Sequence, residues 1–322
     1  MLNNLPRTSR ILLALLLASP FAQAQDLATA RQSLMQGRID DATAQLQAIV
    51  TASPKDAVAQ GLLCRAFYAQ DMPDPAIHHC EAAVALTPGS SEFHMWLGRA
   101  YGQKAEHSGM FSGMSLAKKV HNAFERAVQL NPSNFEAASD LGEYYVAAPS
   151  LVGGGLDKAE KLAAQIMPKS PARAHRLLAL VAEKNKNTAK AEAEYKAAAE
   201  AGHTPEALVD LGRFYVHQGK LDLAVNTIEA AIAADTRRGP ALVDAGAVLN
   251  EAHRQPREAE QALRNYLTSP NKSDAAPAFK VHLQLGHMLS FRGDKTEARE
   301  EFAAALALAK NYGPAQKAAV PH

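Results

Sequence analysis

Residues 211–231 read LGRFYVHQGKLDLAVNTIEAA, and residues 285–305 read LGHMLSFRGDKTEAREEFAAA. Gly212 and Gly219 of the first stretch match Gly286 and Gly293 of the second, and Ala224 and Ala231 match Ala298 and Ala305. Working outward, a small residue recurs at Ala30, Cys64, Gly98, Gly142, Ala179, Gly212, Gly246 and Gly286. The spacing is about 34 residues, the period of a stacked helix–turn–helix unit. Taking the small residue as position 8, position 20 reads Ala42, Ala76, Val120, Ala159, Ala191, Ala224, Ala259 and Ala298. Small side chains at these places let paired helices approach closely. Position 7 holds Leu97, Leu141, Leu178, Leu211 and Leu285, and position 11 holds Phe67, Tyr101, Tyr145 and Tyr215. Pro54, Pro88, Pro132 and Pro171 follow second helices, where proline marks a stop. Gly37, Gly219 and Gly293 mark turns between paired helices.

These columns resemble the tetratricopeptide repeat (TPR) family from about Asp26 to Ala309, in eight units. The first unit is degenerate, and the seventh has an extra residue near Pro256. The resemblance implies an all-α, right-handed superhelical solenoid whose first helices line a concave groove. It also implies a non-enzymatic scaffold that binds a protein or peptide, without a cofactor.

Residues 1–24 read as a leader. Arg7 and Arg10 precede an apolar run from Ile11 to Ala18, and Ala22-Gln23-Ala24 offers small residues for cleavage before Gln25. The run is too short to span a bilayer. The expected destination is a bacterial periplasm, with the solenoid over 25–310 and a tail over 311–322. Lys and Arg number 34 and Asp and Glu 33. Losing the leader removes two arginines and no acid, which leaves a slight acidic excess. That argues against nucleic-acid binding through phosphates, and no other segment is apolar enough for a membrane span.

Two insertions break the period, near 104–114 and 149–155. Both fall between the two helices of a unit, in units three and four, so they are expected to lie side by side on one edge. Met110, Phe111, Leu151 and Val152 make them apolar, a rim for a partner or a second copy of the chain, or a patch that closes on itself. On the concave side, position 9 brings Arg65, Arg99 and Arg213, with Tyr68 and His217 one turn on. An arginine pair takes a carboxylate through two parallel hydrogen bonds, so an acidic or C-terminal peptide is the expected groove ligand, unless local acids such as Glu92 already hold the pair. The chaperone-tail clamp does not carry over, because Met95 and Arg99 stand at the positions where it uses Lys and Asn.

Cys64 and Cys80 occupy positions 8 and 24 of unit two. These positions face each other in an antiparallel helix pair, so a disulfide is expected in an oxidising compartment. His78-His79-Cys80 cannot converge on one metal, since neighbours on a helix point in different directions. Gly153 to Gly155 lacks the Lys-Ser/Thr of a phosphate loop. No catalytic motif is present. The rival functions are a subunit of a cell-envelope assembly or export machine and, disfavoured for an open solenoid without an enclosed pocket, a small-ligand carrier. Asn311 to His322 reads as a tail too broken to cap the last unit.

Overall fold

The computed structural model describes residues 20–320. Most of the expected leader, residues 1–19, lies outside the described residues, and the first helix begins at Pro20. Eight helix pairs follow one another: α1 Pro20–Met35 and α2 Ile39–Ala52, α3 Ala57–Ala69 and α4 Pro73–Leu86, α5 Ser91–Glu106 and α6 Met110–Leu130, α7 Phe135–Ala147 and α8 Leu156–Ile166. The second four are α9 Pro171–Lys184 and α10 Thr188–Gly202, α11 Pro205–His217 and α12 Leu221–Ala234, α13 Ala241–Glu251 and α14 Pro256–Leu267, α15 Ala278–Arg292 and α16 Lys295–Leu308. A short α17, Gly313–Ala318, ends the described chain. No strand occurs among the described residues.

Several first helices start at a side-chain cap. Asp56 accepts from the Val58 and Ala59 amides at 3.0 Å, and Asn134 accepts from the Ala137 amide at 3.1 Å. Each satisfies donors that the first turn leaves unpaired.

The pairing of helices follows one geometric rule. A Cβ added at Gly98 would lie 2.5 Å from the Phe124 ring, at Gly212 2.5 Å from Ile228, and at Gly286 2.4 Å from Phe302. In these three units position 8 is small because the second helix fills that space with a large side chain; at Gly142 Leu177 of α9 does so instead. In unit two both places are cysteine, and Cys64 and Cys80 form a disulfide with their Cα atoms 5.1 Å apart. Phe67, Trp96, Leu141, Tyr195, Phe214 and Tyr266 extend the apolar core between units.

The array does not run straight: its last unit returns to its first two. The α1–α2 turn presses on the start of α15, where a Cβ at Gly37 would sit 2.4 Å from the Ala278 nitrogen. Asp71, in the α3–α4 turn, accepts from Lys280 Nζ at 2.7 Å and from the Tyr312 hydroxyl at 2.8 Å. Asp40 accepts from the Lys310 amide at 2.9 Å. The α14–α15 connection carries Asp274 across to Arg65. Tyr266, fully buried, pins that connection: its hydroxyl donates to the Ala276 carbonyl at 2.7 Å and accepts from the Ser273 amide at 3.0 Å.

Two further expectations change. The first insertion is not a loop: it lengthens α5 and α6, leaving a short turn at 107–109. The chain end does more than trail away, because Tyr312 packs edge-on against Phe279 with ring centroids 5.0 Å apart and Ala315, on α17, is buried.

Candidate functional site

The concave face carries a ladder of ion pairs between neighbouring first helices. Arg65 on α3 donates through Nε and Nη2 to both Asp274 oxygens at 2.7 and 2.9 Å, and through Nη1 to Glu92 at 3.1 Å. Arg99 on α5 donates to Asp140 at 2.7 and 3.2 Å and to Glu136 at 2.8 Å, both on α7. Arg176 on α9 bridges Glu143 at 2.6 Å and Asp210 at 2.8 Å, linking α7 to α11. Arg213 stands 3.8 Å from Asp244, and His217 3.5 Å from Glu251, at the α11–α13 step.

Trp96 sits inside this ladder. The Arg65 and Arg99 guanidinium carbons lie 4.8 and 4.6 Å from its ring centroid, and Tyr68 meets it edge-on at 5.6 Å. Cation–π attraction and the carboxylates together hold both arginines. Burial alone would lower the Arg99 pKa, but the Asp140 and Glu136 carboxylates more than offset this and raise it. Burial pushes the Asp140 carboxyl up against the pull of Arg99. Burial likewise raises the Tyr68 hydroxyl, with Arg99 opposing. The returning Asp274 segment forms one wall of an open hollow of about 990 Å³ lined by Tyr68, Trp96, Asn134 and Ser273.

The structure brings Arg65, Tyr68 and Arg99 together, as the spacing predicts, and places Arg213 and His217 farther along the same face. It also supplies each of these arginines with an acid from the chain itself. Glu92 was readable as a neighbour of Arg65, one unit on. Asp274 was not, because it lies in a connection outside the repeat. Arg176 occupies position 5 rather than position 9, so a column search passes over it. Trp96 is the sole tryptophan, a compositional signal that the groove residues alone did not exploit.

At the insertion edge the chemistry is different. Met110 and Phe111 open α6 and are 78% and 88% exposed; Leu151, in a short 3-10 helix at Ser150–Val152, is 70% exposed. Val152 instead turns inward and is buried. The second insertion packs on α6 beyond the first insertion, against Ala117 and His121. The Tyr144 hydroxyl lies 2.9 Å from the Ala117 carbonyl oxygen on α6 and 2.6 Å from that of Val152. The glycine run is tightly packed: a Cβ at Gly154 would sit 1.8 Å from the Ala148 oxygen, and Lys158 donates to the Gly153 carbonyl at 2.8 Å. Its backbone therefore serves the turn. His79, beside Cys80, lies 2.7 Å from Gln60 Oε1 and stacks on Phe67 with centroids 5.4 Å apart.

Sequence profiles of the tetratricopeptide repeat family match residues 33–100, 176–241 and 279–312. They cover just over half of the chain and coincide with units assigned from the small-residue column; the chain is a TPR protein. No curated protein matches it. Among solved structures, yeast Tom70 is similar at 15% identity, over 90% of this chain and 62% of that one, with a TM-score of 0.54. A thermophilic TPR protein of Thermus thermophilus is 21% identical over 71% of this chain and all of its own, with a TM-score of 0.46. The first likeness concerns the fold alone. No helix among the described residues is long and apolar enough to cross a membrane.

Proposed function

We propose that this protein is an exported, non-enzymatic TPR scaffold that holds a protein partner on the edge that carries its two insertions. The observation that carries this is the exposure of Met110, Phe111 and Leu151 on two elements tied through Tyr144. Large apolar side chains left in water on neighbouring elements mark an interaction surface. The groove is the weaker place for an acidic peptide, since Arg65 and Arg99 already hold carboxylates in the bidentate geometry such a peptide would use. Export is supported by the leader pattern and by the Cys64–Cys80 bond, which persists in oxidising compartments.

The test is a crosslinked pull-down from the envelope fraction. It compares the wild type, a Met110→Ser/Phe111→Ser/Leu151→Ser variant and an Arg65→Glu/Arg99→Glu variant, each checked by circular dichroism. Loss of a stable protein set in the first variant supports the rim. Retention there with loss in a folded arginine variant moves the function to the groove. If the retained species is the chain itself, sedimentation will show a dimer that the rim variant abolishes.

One observation favours a second reading, a small-ligand carrier: the returning segment supplies one wall of the hollow of about 990 Å³ beside Trp96. A polar small molecule bound there would raise the melting temperature with its concentration.

A further inference from the structure

Neighbouring first helices pack closely from α1 through α9 and again at α11–α13, and less closely at α9–α11 and at α13–α15. The connection before α15 is long because it must reach unit two, and it sets α15 apart from α13. A wedge opens between them. Its floor is Leu249, Leu285, Met288 and Leu289, and Phe291 stands at its side, 88% exposed. The cavity measures about 230 Å³. That is below the range of sites that enclose a small molecule, and it suits one large apolar side chain. A second hollow of about 640 Å³ adjoins it and shares Asn250, His253, Met288 and Phe291. It offers a path for the chain on which that side chain is carried.

The charge at the mouth selects the neighbour. Glu260, the acid on this rim, already accepts from Arg264 at 2.7 Å and from Arg292 at 2.8 Å. Lys280, at the far end, is held by Asp71. Arg254 has no carboxylate partner among the described residues, in contrast to Arg65, Arg99 and Arg176. Arg254 therefore leaves an unmatched positive charge beside an apolar floor.

We propose that the α13–α15 wedge binds an extended peptide by one large apolar side chain, leucine or phenylalanine, with an adjacent carboxylate on Arg254. An apolar anchor in a pocket supplies most of the affinity in such contacts, and the charge pair sets the preference among sequences. The site is separate from the insertion edge and stands or falls independently of it.

The test uses two acetylated hexapeptides, one with a leucine followed by two aspartates and one with a leucine followed by two lysines. Binding is read from the Met288 methyl resonance of methionine-labelled full-length protein, assigned through Met288→Leu. The acidic peptide is expected to shift that resonance saturably and to bind more tightly than the basic one. Arg254→Glu is expected to weaken the acidic peptide about tenfold and to remove its advantage. Phe291→Ala is expected to weaken both peptides. Both altered side chains are exposed, so the fold, checked by thermal melting, should persist. A Met288 resonance unmoved by either peptide, equal binding of both to the wild type, or an acidic peptide indifferent to Arg254→Glu overturns the proposal. So does a shift with protein concentration alone, which would assign the wedge to a second copy of the chain.

Discussion

The concave face and the insertion edge of units two to four hold their chemistry in opposite ways. On the concave face, Arg65 and Arg99 project into the groove, yet each is bound to two carboxylates and stacked on Trp96. On the edge, Met110, Phe111 and Leu151 have water where a neighbour would be. The charged ladder joins one unit to the next, while the apolar edge is left over after the units have packed. A charged column in a repeat protein is therefore as much a fastener between units as an invitation to a ligand. Partners are better sought where a costly exposure has no internal explanation.

The difference can be broken from either side. The largest loss of stability is expected in unit two, whose helices are joined covalently. Cys64→Ala/Cys80→Ala should destabilise the protein by about 3 kcal/mol if loop closure in the unfolded chain dominates. Urea denaturation would measure it, and free-thiol labelling before and after reduction would verify the bond. Arg99→Ala should cost about 2 kcal/mol, because it leaves Asp140 half-buried without its charged donor. If urea midpoints of Arg99→Ala match the wild type, the ladder is not a fastener and the groove regains its claim to a ligand.

Acid offers a gentler perturbation of the same unit. Burial, with a smaller push from His78, lowers the His79 pKa from 6.5 to about 4. The unfolded chain then binds a proton between these values that the folded chain refuses, so stability is full above pH 6.5 and falls as the pH drops towards 4. Comparing urea midpoints at about pH 7 and about pH 5 should show a smaller drop for His79→Gln than for the wild type. The smallest change in stability is expected at the edge. Met110→Ser and Phe111→Ser should each stay within about 0.5 kcal/mol of the wild type, since the side chains touch little. A larger loss in thermal melts would mean that the edge is packed rather than vacant.

The helix pairs were legible because one geometric need repeats: small residues at positions 8 and 20, where paired helices approach closely. The same antiparallel pairing located the Cys64–Cys80 bond. The insertions' shared edge was legible too, since turns of adjacent units must align. Their internal form was not: the extra residues around Glu106 to Met114 continue α5 and α6 as helix, and a break in the period does not distinguish a longer helix from a loop. Asp274 lay beyond reach for another reason. It meets Arg65 only because the array winds back upon itself, and winding accumulates from small rotations that no single unit encodes. Val152 and Leu151 are neighbours in a short apolar run, where alternation alone does not say which faces inward.

The contacts made by Asp40, Arg65 and Asp71 with the last unit change the arithmetic of the whole array. In a linear stack each terminal unit has a single neighbour, so melting begins at the ends and travels inward. Here unit eight borders unit seven and also units one and two, and the cyclic boundary removes the cheapest starting points. Fraying at the carboxyl end must break contacts made more than two hundred residues earlier in the chain. The molecule is thereby pushed from stepwise unzipping towards melting as a single body.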